Sequence, residues 1–139
     1  MNKKVLVGAV VVYILVAILD YLIHNVLMMS VYEATPDLWR SPEEMKMWVI
    51  FVAYIFFAFF FSFIFSKGYE GKGIMEGVRY GFYMSLLINL PAGYATYASM
   101  PVPYSLALGW FLYGTAEFII CGIALALIFK SKEAAPAQA

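Results

Sequence analysis

The chain has 139 residues, 64% of them hydrophobic and only 13% charged, and its nine basic and nine acidic side chains give a formal net charge of zero. A soluble domain carries about 25% charged residues and roughly half apolar ones, so an ordinary soluble globule is excluded, and without a basic excess no nucleic-acid partner is expected. One cysteine and one histidine exclude an intrachain disulfide, a Cys-rich zinc or iron–sulfur site and c-type haem attachment.

At about 1.5 Å per residue, roughly 20 residues cross a hydrocarbon core of ~30 Å. Four stretches of that length predict an all-α, polytopic four-helix transmembrane bundle, a single domain over residues 1–130. The first span, about 5–28, follows Lys3 and Lys4. It is too long for a signal peptide, and Asp20 and His24 stand where a cleavage signal would lie, so it reads as a retained helix.

The connection that follows, "MSVYEATPDLWRSPEEMKMW", contains a capping-box pattern. Ser41 would be the N-cap, Pro42 the first helical residue and Glu44 the third, starting the second span. Thr35-Pro36-Asp37 predicts a short helical turn just before it. Trp39 and Trp48 suit the headgroup layer. The second span, about 47–66, is dominated by phenylalanine ("FVAYIFFAFFFSFIF") and is expected to show much of its surface to lipid or to a partner.

The next loop, "SKGYEGKGIMEG", has glycines and lysines but no GxxxxGK[ST] pattern and no preceding strand. It reads as a flexible turn rather than a phosphate loop. The third span, about 77–99, opens with Gly77, Gly81 and Ser85 at intervals of four, and Asn89 continues that stripe. Small residues so spaced let helix backbones approach closely in lipid. Pro91 breaks the helical hydrogen-bond ladder and predicts a kink. The fourth span, about 104–129, offers Gly109, Gly114 and Gly122, and residues 131–139 form a short polar cytoplasmic tail.

Basic residues divide unevenly between the two sides. Lys3, Lys4, Lys67, Lys72, Arg79, Lys130 and Lys132 fall on one, and Arg40 and Lys46 on the other. The positive-inside rule then predicts a multi-pass protein of the bacterial inner membrane with both termini in the cytoplasm.

Polar groups at membrane depth are the functional candidates, because an ionised carboxylate there costs at least a few kcal/mol unless paired, protonated or wetted. Asp20 and His24 are four apart and share a helix face. With Asn89 and Glu117 they are expected to point inward as a ligand- or proton-binding set, and Tyr54 and Tyr83 are candidates to line a pocket. A metal would draw on His24, Asp20, Glu117 and Cys121. His24 as an axial haem ligand is a further possibility, and no cofactor is specified. A polar cluster serving only as glue between helices is the plain alternative. No nucleophile–base pair is legible, so no enzymatic activity is expected.

The run "LDYLIHNVLMMSVYEATPDLWRSPEEM" joins an aspartate and a histidine near the end of the first span to a tyrosine and then to Leu38-Trp39-Arg40-Ser41-Pro42-Glu43-Glu44-Met45. In these features it resembles a family of small bacterial four-span inner-membrane proteins without an assigned activity. The resemblance covers the first third of the chain and the rest only in hydropathy and length. It implies the four-span topology, directs attention to His24, Trp39 and Arg40, and brings no mechanism. The resulting expectation is a non-enzymatic accessory or assembly component of a larger membrane complex, in contact with lipids and with copies of itself or other integral membrane proteins. The rivals are a protein that binds or transports a small ligand, proton or metal through the Asp/His/Glu cluster, and a haem-binding membrane protein.

Overall fold

In a computed structural model, which describes residues 1–130, the fold is all-α. Helix α1 (Lys3–Leu22) starts at Asn2, whose side-chain oxygen accepts the Lys4 N–H at 2.9 Å, and it runs on through one π-helical turn, Ile23–Leu27. A short α2 (Met29–Glu33) and two 3-10 turns, Pro36–Leu38 and Pro42–Glu44, lead to α3 (Met47–Gly68), α4 (Ile74–Ser99) and α5 (Tyr104–Phe129).

Among the described residues, three helices are long and apolar enough to cross a membrane: Lys3–Leu27, Met47–Gly68 and Tyr104–Phe129. The four-helix transmembrane bundle expected from length is corrected to an all-α membrane fold with three candidate spans. At 26 residues α4 has the length. Its composition differs: Glu76 and Arg79 near its start, then Asn89, Pro91, Thr96 and tyrosines 80, 83, 94 and 97 replace hydrocarbon with polar groups. Each such residue subtracts from the transfer free energy that inserts a helix.

Helix α4 lies antiparallel along α5 and so runs between the same two ends of the molecule, and small residues set the spacing. A Cβ on Gly77 would strike the Gly122 carbonyl, one on Gly122 would strike the Gly77 carbonyl, and one on Gly81 would meet the Phe118 backbone. Only glycine lets these two backbones touch. Further along, Ser85 meets Thr115, and Asn89 fills the notch left by Gly114.

Helices α1 and α3 form a second antiparallel pair. The Ser62 hydroxyl donates to the Val5 carbonyl at 2.9 Å in a buried contact. Between the two pairs sits the main core: Val5, Val12 and Val16 of α1, Ala58, Phe61 and Phe65 of α3, and Phe118, Cys121, Leu125 and Phe129 of α5. Its phenylalanines pack edge-on, with Phe61 4.7 Å from the Tyr80 ring and 5.4 Å from Phe118, the favoured arrangement for aromatic quadrupoles. The opposite side of α3 leaves Phe51, Ile55, Phe56, Phe60 and Ile64 exposed, as a lipid-facing helix does.

Both ends of the described chain meet. The Lys4 ammonium donates to the Phe129 carbonyl at 2.9 Å and the Lys130 carbonyl at 3.4 Å. It thereby satisfies carbonyls that a helix C-terminus leaves without partners.

Two local expectations change. Ser41-Pro42-Glu43-Glu44 does not start α3: it forms the 3-10 turn without a side-chain cap, and Met45 is extended (ψ 126°), so the helix begins at Met47. The loop "SKGYEGKGIMEG" is a fastened turn. The Glu76 carboxylate accepts the backbone N–H groups of Glu70 (2.5 Å) and Lys72 (2.8 Å), while Gly71 and Gly73 adopt positive φ. An ion pair joins Lys72 to Glu70, and the Lys72 ammonium holds the Glu70 carboxyl below its ordinary range. Helix α4 stays helical through Pro91. The predicted tail, 131–139, lies outside the described residues.

Candidate functional site

The site is assembled where the π-helical turn ends α1. A wide turn of this kind is an inserted irregularity, frequent at functional positions, and here it contains His24. One turn earlier Asp20 sits on the same face, with its Oδ1 3.5 Å from His24 Nε2. The other Asp20 oxygen accepts a hydrogen bond from the Tyr54 hydroxyl of α3.

The remaining histidine nitrogen is also engaged. His24 Nδ1 lies 2.6 Å from the Tyr32 hydroxyl, which α2 carries back over the helix end. That same oxygen accepts the Trp110 indole N–H at 2.6 Å. An indole only donates, so the Tyr32 oxygen receives from Trp110 and stays free either to donate to Nδ1 or to accept from it. Burial raises the Tyr32 phenol above its ordinary value of 10; the Trp110 hydrogen bond opposes this and the Asp20 charge adds to it.

Trp39 packs edge-on against Tyr32 and Trp110, with ring centroids 5.2 and 6.2 Å away, and donates its indole N–H to Thr35 Oγ1 at 3.0 Å. It closes the end of the helix packing as part of an aromatic cap, with Ile23, Met28, Val102 and Leu106 beneath it.

Under this cap is a cavity of about 240 Å³ between α1, α4 and α5. Helix α1 contributes Asp20, Ile23 and His24; α4 contributes Asn89, Ala92, Gly93 and Thr96; α5 contributes Trp110, Gly114 and Glu117. Glu117 is 5% exposed, and its Oε1 has no hydrogen-bond partner. Asn89 donates to Ser85 Oγ at 3.1 Å, and Ser85 shares a 2.7 Å hydrogen bond with Thr115, so the α4–α5 side of the cavity is held by a polar ladder.

The structure thus brings Asp20, His24, Asn89 and Glu117 to one cavity. Tyr54 is set behind it, joined to Asp20, and Tyr83 is 61% exposed on α4 away from it. Cys121 is fully buried one turn beyond Glu117 and does not line the space. Among the described residues, no three His, Cys, Asp or Glu side chains are placed to hold a metal ion. Both His24 nitrogens have partners, leaving none free for an axial haem bond in this arrangement. Elsewhere Tyr94 pairs with Tyr104 at 3.0 Å, and Tyr113 borders a second cavity of about 340 Å³ with Met28, Leu108 and Leu112.

Tyr32, Thr96 and Trp110 were not singled out from the sequence as site residues. For two of them a signal was present. Trp110, Gly114 and Glu117 are spaced by four and three, as are Asn89, Gly93 and Thr96, and each set shares a helix face.

No protein family, no curated protein and no solved structure matches the chain. With no family matched and three apolar helices in place of four, the resemblance to small four-span inner-membrane proteins is not upheld.

Proposed function

We propose that this membrane protein binds a small polar solute in the cavity between α1, α4 and α5. One observation carries the reading. Polar side chains from three helices converge on one space, and a carboxylate oxygen that is almost wholly buried there has no protein partner. Polar atoms packed only as glue would be satisfied by one another, since an unpaired buried acceptor costs roughly 1–3 kcal/mol. The volume of about 240 Å³ lies below the ~300–1,000 Å³ of pockets for drug-sized ligands, so the solute is small.

The proposal takes the protein as a binder and not an enzyme. The hydroxyl of Ser85 is occupied by Thr115 and Asn89, and the Cys121 thiol is sealed in the core. The sidedness proposed with it puts the end bearing Lys3, Lys4, Lys67, Lys72, Arg79 and Lys130 in the cytoplasm, on the positive-inside rule. An accessory subunit remains the second reading. It draws on the exposed aromatic face of α3, with Phe51, Phe56 and Phe60, which suits another membrane protein or a second copy as well as lipid.

The test is thermal unfolding of the detergent-purified protein against a panel of small cations, anions and neutral polar solutes. A ligand at 100 times its Kd stabilises by about 2.7 kcal/mol. A saturable shift with at least one class, abolished by filling the cavity with Ala92→Phe, is expected. If no solute shifts the transition, or the shift survives Ala92→Phe, the accessory reading takes its place.

A further inference from the structure

Resting on the solute-binding reading, we infer that the cavity takes a small organic cation with N–H donors, of the primary ammonium class. Two carboxyl groups, those of Asp20 and Glu117, line it, and among the described residues no lysine or arginine does. Asp20 has local partners in Tyr54 and His24. Glu117 Oε1 has none, although the residue is 95% buried by area, the complement of its 5% exposure. The site therefore holds no donor for that oxygen and, among the described residues, no lysine or arginine to match its pair of carboxyl groups, at a depth where an ionised carboxylate left unpaired is costly.

An ammonium group supplies both. An anion would be repelled by the carboxylates, and a neutral amide would donate without compensating the charge. A bare metal ion finds no group of three suitable ligands among the described residues. It would also leave unused the apolar part of the wall, Ile23, Ala92 and the Trp110 ring. A short alkyl chain can rest on that surface, and an indole face favours a cation within about 6 Å.

The test is isothermal titration of the full-length protein in detergent with ethylammonium chloride, sodium acetate and acetamide, each against a sodium chloride baseline. Ethylammonium is expected to bind at one site, at least ten-fold more weakly in Glu117→Gln and in Asp20→Asn, and unchanged in Glu43→Gln on the outer 3-10 turn. The two carboxamide variants are checked for native helix content by circular dichroism, and either one that passes is sufficient. Ethylammonium binding undiminished in both overturns the assignment to this cavity. Binding of acetate or acetamide in place of ethylammonium overturns the cation inference and leaves the solute-binding reading standing. No binding by any of the three, with wild type and Ala92→Phe alike across the wider panel, overturns both.

Discussion

Tyr32 joins three parts of the molecule through a single oxygen atom. It accepts from Trp110 of α5 and faces His24 Nδ1 of the π-helical turn, while its ring packs under Trp39. Tyr32→Phe keeps the ring and removes both hydrogen bonds, leaving a partly buried indole N–H without an acceptor. The expected loss is about 1–3 kcal/mol, read from chemical unfolding in detergent. The same residue gives a pH dependence. Its pKa is raised in the folded state by burial, so its contribution to stability is complete below the unfolded value of about 10 and is lost as pH rises through the folded value. Wild type should therefore lose stability above pH ~10 by an increment that Tyr32→Phe lacks. Superimposable alkaline profiles for the two proteins would dismiss this role of the phenol.

Between elements, the decisive contact is the backbone approach of α4 to α5. A side chain at Gly122 meets the Gly77 carbonyl and the Gly81 nitrogen, backbone atoms that cannot rotate away. Gly122→Val is expected to cost about 1–3 kcal/mol, the range of overpacking in a filled interior. Gly68→Ala, where an added Cβ meets nothing within 4 Å, is its control and should stay within about 0.5 kcal/mol of wild type. Equal effects of the two in thermal unfolding would show that the helices do not meet through these glycines. The stripe at Gly77, Gly81 and Ser85 was legible in the sequence because a period of four is a helix-face signal. The polar set Asp20, His24, Asn89 and Glu117 stood out because such groups are rare among hydrocarbon. Two features left no periodic trace. The Tyr32–His24 contact depends on a π-helical turn and a chain reversal at α2. The apparent capping box at Ser41 gives only a 3-10 turn because Met45 and Lys46 leave helical geometry. Length alone misread α4, whose polar residues separate it from α1, α3 and α5.

Across the whole molecule the two ends differ in charge. At one end Lys4 reaches the last carbonyls of α5, and Lys67 closes α3. Gly77 against Gly122 brings the start of α4, with Arg79, to the same end. The other end carries the connection from α2 to α3, where Arg40 and Lys46 stand among Glu33, Asp37, Glu43 and Glu44. Acidic residues weigh little in orientation, and lysine and arginine near helix ends weigh most. The basic end should therefore be retained in the cytoplasm and the cap of Tyr32, Trp39 and Trp110 should face outward. Single cysteines report this directly, since the native Cys121 is buried and does not compete for reagent. Glu43→Cys is expected to react with a membrane-impermeant maleimide in intact cells, and Lys72→Cys only after permeabilisation. The opposite pattern would invert the molecule and place the carboxylate cavity, which lies just beneath that cap, nearer the cytoplasmic face. Labelling of both positions in intact cells would mean that the connections at the two ends do not lie on opposite sides of one membrane, and the proposed sidedness would fail.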